Sequence, residues 1–410
     1  MENQAKAIIE SLFSEQVQNY IITHEHDDER DLVLRHKEIL GVPSAVIAEQ
    51  IAGRRKAKEK LPLYYQTPGI VYPPAINLEQ TSSEQTARFK SSLITEALAA
   101  HGDKPLARAI DLTSGLGIDT YFLSRIFTHF DAVEPNPGLL ETAQHNHQQL
   151  GATNIRHHNT TAETFLAQLN EKVNLVFIDP SRRTSNKKVF TLTDSEPDIV
   201  SLQHTIFEKT DNLLVKASPL LDISLALKAL DFVKSVYVVA VDNEVKELLF
   251  LAEKDFNGEP LIHSVNLLKQ RHDSFSFSLT DEATTIAKFS DPLVYLYEPN
   301  AAILKAGAFK TIAQRFKLAK IQSSTHLYTA DLLAEDFPGR IFLIEARVKP
   351  DAKSLKPFFP EGKANITTRN YPLTVEELKK KTGLKDGGEK FLIGFSGVIE
   401  KFLVAARRVK

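Results

Sequence analysis

From about residue 107 to 253, short apolar runs alternate with segments of helical spacing, and no other stretch limits the fold as tightly. The strand candidates are 107–112, 130–134, 155–158, 173–179 and 212–216; the helical runs are 118–127, 137–150, 162–169 and 223–230. Strands joined by helices pair in parallel, and a parallel sheet needs both faces covered. Two further runs, 235–241 and 245–252, have only Asp242-Asn243-Glu244 between them, too few for a helix, so a hairpin is expected. The pattern predicts an α/β core, a doubly wound and mostly parallel sheet closing on an antiparallel edge.

The flanks read differently. Ala5, Ile8, Ile9, Leu12 and Phe13 fall at helical spacing, and Ser44 is a candidate N-cap ahead of a helix over 45–60. That helix ends in Arg54-Arg55-Lys56-Ala57-Lys58-Glu59-Lys60, which suits either a solvated face or a nucleic-acid contact. Residues 61–80, rich in proline and aromatics, read as an extended linker. Beyond 255 the alternation stops. Strands are expected at 294–297, 325–329, 340–348 and 390–398, with helices at 302–308, 309–318 and 375–382, an α+β pattern. The expected divisions are a helical N-terminal region with its linker at 1–80, the α/β domain at 81–255, a small α+β unit at 256–325 and a basic α+β domain at 326–410.

Hydrophobic residues make 42% of the 410, as in globular proteins rather than disordered or collagen-like ones. No run approaches the roughly 20 apolar residues that span a bilayer. The start, MENQAKAIIESLF, is amphipathic and acidic, without the basic head and apolar run of a signal peptide, so a cytoplasmic location is expected. The net charge of -2 hides an asymmetry: residues 301–410 carry 21 Lys+Arg and 11 Asp+Glu, a net of +10. A basic C-terminal part on an acidic remainder suits a polyanionic partner, or attraction between the two parts. Cysteine is absent, which excludes disulfides, thiolate metal sites and any cysteine nucleophile.

The chemistry concentrates in three places. Asp111-Leu112-Thr113-Ser114-Gly115-Leu116-Gly117 follows the first strand and opens the first helix, where glycines let the chain turn tightly and a ligand approach. Glu134 closes the second strand 17 residues beyond Gly117, where a carboxylate can accept from both ribose hydroxyls of an adenosine. The third glycine of the dinucleotide fingerprint is missing, which disfavours NAD and its pyrophosphate. Asp111 suits a water or an ammonium group, which S-adenosylmethionine carries and NAD lacks. Finally, Asp179-Pro180-Ser181-Arg182 stands at the end of the fourth strand, where open α/β sheets bind ligands. Its rigid turn offers carbonyls and a carboxylate to an amino group.

In this order, D-x-x-x-G-x-G, V-E-P-N and D-P-x-R resemble the class I S-adenosylmethionine-dependent methyltransferases, closest to the RNA-modifying branch with its D-P-P-R motif. TSSEQTARFK at 81–90, LVKASP at 214–219 and YLYEPNAAI at 295–303 are similar to a bacterial family with a THUMP-like C-terminal domain. The resemblance implies a Rossmann-like methyltransferase core with a ferredoxin-like and THUMP-like C-terminal region. It implies S-adenosylmethionine held by Asp111, Gly115, Gly117 and Glu134, with the adenine beside Asn159, Thr160, Thr161 or Glu163. Asp179, Pro180, Ser181 and Arg182 would face the acceptor. Ser181 departs from the D-P-P-R form.

Pyrimidine C5 methylation through a thiolate is closed to a chain without cysteine. Transfer to a nitrogen or oxygen needs only an oriented lone pair, and the D-P turn favours nitrogen. The expected activity is therefore methyl transfer to a base nitrogen in structured RNA, rRNA or tRNA. The alternatives are a DNA or protein acceptor, or a non-catalytic RNA-binding protein that only senses the cofactor. Arg182 and Arg183 suit a phosphate grip, Lys216 and Ser218 the same crevice, and Phe89 with Lys90 a cover over the cofactor. His145, His147, His157 and His158 cluster in sequence without metal-ligand spacing, and neither a structural metal nor a membrane partner is expected.

Overall fold

The structure, a computed structural model, describes residues 10–73, 75–99, 106–182 and 192–410. The chain divides into two compact units, Met1–Lys234 with Leu249–Asn257, and Ser235–Leu248 with Gly258–Lys410.

The first unit is built on parallel strands β1 (Leu106–Asp111), β2 (Phe127–Val133), β3 (Ile155–His158), β4 (Leu175–Ile178) and β5 (Asn212–Ala217). Their order is β5-β4-β1-β2-β3, so the chain starts at the centre, works outward through β3, and returns to the other side of β1 at β4. That reversal opens a crevice between the carboxyl ends of β1 and β4, the place where open α/β sheets take ligands. All four residues of β4 are at most 1% exposed. Burying such a side chain stabilises by about 1.5–3 kcal/mol, which is why the strand reads as an unbroken apolar run.

Helices α1 (Ser44–Lys60) and α2 (Glu84–Ala97) precede β1; α3 (Ile118–Ser124), α4 (Pro137–Gln149), α5 (Ala162–Gln168) and α6 (Ile199–Lys209) connect β1 to β5 in turn, and α7 (Ile223–Ala229) follows β5. Side-chain caps explain most starts: Asn136, Thr161, Asp198 and Asp222 each accept from a first-turn amide. Helix α6 has no counterpart in the sequence expectation, and α3 ends at Ser124, three residues short of the expected 127.

Residues 61–80 are not an extended linker. They form helices at Pro62–Gln66 and Ala75–Gln80 and bury Leu61, Tyr64, Ile70, Val71 and Tyr72. Two buried amides satisfy the backbone between those helices. Gln50 pairs with both the N–H and the carbonyl of Tyr72, and Asn146 does the same for Val71. The basic end of α1 is tied within this unit: Arg54 to Glu25, Arg55 to Glu29, Lys56 to Glu79, and Lys60 to the Leu78 and Glu79 carbonyls.

In the second unit, β6 (Val233–Val241) turns into the start of β7 (Glu244–Glu253) through Asp242 and Asn243, both left-handed at φ 48° and 68°. This is the expected hairpin, with the geometry that two-residue hairpins prefer. It is not an edge, because β8 (Leu261–Leu267) pairs in parallel with β6, and β9 (His272–Ser278) runs antiparallel beyond β8. A second sheet holds β10 (Tyr295–Pro299), β11 (Ala319–Lys320), β12 (Tyr328–Ala330), β13 (Gly339–Arg347), β14 (Lys363–Arg369), β15 (Lys385–Ser396) and β16 (Lys401–Arg408) in the order β11-β12-β10-β13-β16-β15-β14. Strands β8, β9, β11, β14 and β16 were not expected from the sequence. Among the described residues no helix is long and apolar enough to cross a membrane.

Candidate active site

The crevice between β1 and β4 is a cavity of about 420 Å³, lined by the turn 111–119, Glu134, Thr161, Asp179, Ser181 and Lys216 among others. The turn after β1 hangs between the flanking strands: Leu112 N–H donates to the Phe177 carbonyl and Ser114 N–H to that of Val133. Gly115 and Gly117 lie at φ 52° and 77°, conformations that strain any residue with a Cβ. The two glycines are needed for different reasons. A Cβ on Gly115 would meet no atom within 4 Å and would stand in open space, whereas one on Gly117 would lie 2.5 Å from the His147 ring.

Asp111 is 1% exposed, and its carboxylate shapes this turn. Oδ1 accepts from the Thr113 amide at 2.9 Å and Oδ2 from the Thr120 hydroxyl at 2.6 Å. Burial pushes its pKa up to about 7. Thr120 occupies the position where a dinucleotide fingerprint carries its third glycine. Thr113 also bridges the crevice, its hydroxyl accepting from the Asp179 amide at 2.7 Å. Glu134 accepts from Gly115 N–H at 3.0 Å and Asn136 N–H at 2.8 Å, and burial raises its pKa.

The structure brings Asp111, Gly115, Gly117, Glu134, Thr161, Asp179 and Ser181 to this cavity. Pro180 is buried beside it. Asn159 and Thr160 instead line a separate cavity with His157 and His158, and the Asn159 amide donates to the Glu134 and Pro135 carbonyls at 3.0 Å. Ser181–Arg182 pairs antiparallel with Ser195–Glu196, with the Ser181 hydroxyl on the Glu196 carbonyl at 3.2 Å. The Arg182 side chain, and Arg183 altogether, lie outside the described residues.

The sequence reading passed over Asp119 as a site residue and treated Lys90 as a surface or covering side chain. Lys90 is fully buried and lies 3.2 Å from Asp119, while Lys216 reaches both Asp119 and Asp179. Burial works to raise the Asp119 pKa, but the Lys90 and Lys216 ammoniums and the Ser82 hydroxyl hold it below the usual carboxylate range. A lysine at a core position of α2 was the available signal.

Among the described residues no group of three or more His, Asp or Glu is placed to hold a metal ion. His147 is fully buried, with Nε2 2.9 Å from the Gly117 carbonyl and Nδ1 2.9 Å from His157 Nε2. His145 stacks on Phe13 and reaches the Gly69 carbonyl, and His158 pairs with Asp131.

Known proteins resemble this chain in three ways. Residues 295–338 match a ferredoxin-like domain family, and residues 339–407 match a THUMP domain-like family. A crystal structure from Porphyromonas gingivalis W83, described as that of a "putative methyltransferase", matches at a TM-score of 0.85 and 29% identity, covering 99% of each chain. An rRNA methylase from Streptococcus thermophilus matches 40% of this chain and 96% of its own at 16% identity, with a TM-score of 0.31. No curated protein matches.

Proposed function

We infer that the chain is an S-adenosylmethionine-dependent methyltransferase with ferredoxin-like and THUMP-like C-terminal domains, and that it methylates a base nitrogen in structured RNA. One observation carries the reading: the Gly115 turn, Glu134, Asp179 and Ser181 meet at one cavity at the β1/β4 reversal.

The residues present fit the cofactor. Ser114 Oγ is buried on the cavity wall without a hydrogen-bond partner among the described residues, and the space at Gly115 is what a Cβ would fill. Asp111, Gly115, Gly117, Glu134 and Thr161 would hold it, with Asn159 acting one step back through the carbonyls at Glu134 and Pro135. S-adenosylmethionine supplies an electrophilic methyl group on a sulfonium. The chain's own part is placement. Asp179 offers its carboxylate to the acceptor's amino group and takes part of the positive charge that develops there. The Pro180 turn stiffens that wall, and the buried floor excludes water.

RNA is favoured as substrate by the net charge of +10 over 301–410 and by exposed Lys353, Lys356, Lys380, Lys381 and Lys385 in the THUMP-like region. Phosphate contacts of this kind bind with strong salt dependence. The test incubates purified protein and methyl-labelled S-adenosylmethionine with total RNA from a strain lacking the gene and from its parent. Label confined to the deletion-strain RNA is expected. Label entering DNA or protein instead would replace the substrate, and cofactor binding without transfer to any fraction would leave a non-catalytic binding protein.

A further inference from the structure

Four charged side chains of alternating sign run from the core of the first unit to the cavity. Lys90 Nζ lies 3.2 Å from Asp119 Oδ1, and Lys216 Nζ lies 3.5 Å from Asp119 Oδ2 and 2.5 Å from Asp179 Oδ2. Side-chain exposure rises along the row, from 0% at Lys90 through 9% and 10% at Asp119 and Lys216 to 35% at Asp179. The Ser82 hydroxyl adds a bond to Asp119 Oδ2 at 2.6 Å.

A buried ammonium is costly unless paired. Asp119 lies between the two ammoniums, and Asp179 meets the Lys216 ammonium on its cavity side. Surface lysines hold a carboxylate loosely, because the long side chain keeps its rotamer freedom. Lys216 differs: it leaves the rigid end of β5, and Asp119 grips its ammonium from the buried side. The Asp179 backbone is fixed as well, by its amide on Thr113. Main chain and carboxylate of Asp179 are therefore each tied to a different element of the crevice.

We propose that Lys216 is a positioning residue for methyl transfer: held from behind by Asp119 and Lys90, its ammonium sets the Asp179 carboxylate so that the acceptor's amino group meets it already oriented. The inference rests on Asp179 facing the acceptor. Misplacement of a catalytic group by about 1 Å can cost about a hundredfold in rate, and Lys216 acts on that term rather than on cofactor binding. It also assigns a purpose to the 81–90 segment, whose Ser82 and Lys90 hold the far end of the row.

The test compares wild type, K216M and K216R with the RNA that takes label. In K216M the Lys90–Asp119 pair remains, and thermal unfolding of each variant beside the kinetics separates a folding defect from a loss of positioning. K216M is expected to lower kcat at least tenfold with KM for S-adenosylmethionine within about twofold, and K216R to recover most of the loss. In crystals, Asp179 should keep its rotamer in K216R and leave it in K216M. An unchanged kcat, an unchanged Asp179 rotamer in K216M, or equal losses in the two variants would overturn the assignment. A wild-type protein that transfers no methyl overturns the methyltransferase reading and this inference together. Transfer by wild type and K216M alike overturns the inference alone.

Discussion

The Gly115 amide donates to Glu134 Oε2 across 3.0 Å, joining the turn after β1 to the end of β2. Because Oε1 accepts from Asn136 N–H at the same time, the carboxylate is oriented by two charge-assisted bonds. E134Q keeps the size but replaces one acceptor oxygen with an amide group. It is expected to weaken S-adenosylmethionine binding at least tenfold, about 1.4 kcal/mol, with the melting temperature lowered by only a few degrees. Calorimetric titration of both proteins measures this, and equal affinities would remove Glu134 from the cofactor site.

The two glycines of the turn should fail differently. In G117A the new methyl meets the His147 ring at 2.5 Å on a backbone at φ 77°, so stability should fall by about 2–4 kcal/mol. In G115A nothing is struck, and only the left-handed backbone penalty of about 1–2 kcal/mol applies. Its methyl projects into open space on the cavity wall, so cofactor affinity should suffer more than in G117A. Urea unfolding and cofactor titration on the pair separate the two effects. A G117A protein as stable as wild type would contradict the packing argument.

His147 and His157 predict an acid-sensitive core. The Gly117 carbonyl can only accept, so His147 Nε2 carries the proton and Nδ1 receives the N–H of His157. Burial lowers the His147 pKa to about 3 and, with the His158 charge, that of His157 to about 4. The unfolded chain takes up these protons near pH 6.5 and the folded one does not. Stability is therefore present above about 6.5 and lost as pH falls toward 4. H157Q keeps a donor for His147 without titrating. Its unfolding free energy should fall less steeply than wild type between pH 6.5 and 4.5, by up to about 1.4 kcal/mol per pH unit. Asp111, whose raised pKa works in the opposite direction, is common to both proteins and cancels in the comparison. Parallel pH profiles would exclude the pair as the source.

In the second unit, Gly339 opens β13 opposite Pro299, where a Cβ would lie 2.1 Å from the Glu298 carbonyl oxygen. Backbone cannot yield as a flexible side chain can, so G339A should cost about 3 kcal/mol or more. Thermal unfolding with resistance to limited proteolysis would show it, and a wild-type melting temperature would refute the close approach.

The sequence by itself determined what depends on neighbours along the chain. Strands β4 and β5 are legible because a strand buried on both faces is a continuous apolar run, whereas β3, Ile-Arg-His-His at the sheet edge, is legible only from its place in the alternation with helices; the motifs at Asp111–Gly117, Glu134 and Asp179 are legible because they sit at the ends of strands. Strand β14, Lys363–Arg369, has few apolar residues and becomes a strand only through the ladder that pairs it, whereas β16 carries the buried apolar run Phe402–Ala406 and was legible by the same rule as β4. The 61–80 segment looked like a linker because prolines break its periodicity. Its place in the core depends on Gln50 and on Asn146, which stands 75 positions beyond Val71. Tertiary structure alone decided that Lys90, Asp119, Lys216 and Asp179 form one row. Each is an ordinary charged residue locally. Only the reversal of the chain between β1 and β4, with Lys90 carried in by α2, brings them together, Lys90, Asp119 and Lys216 out of water and Asp179 at the cavity.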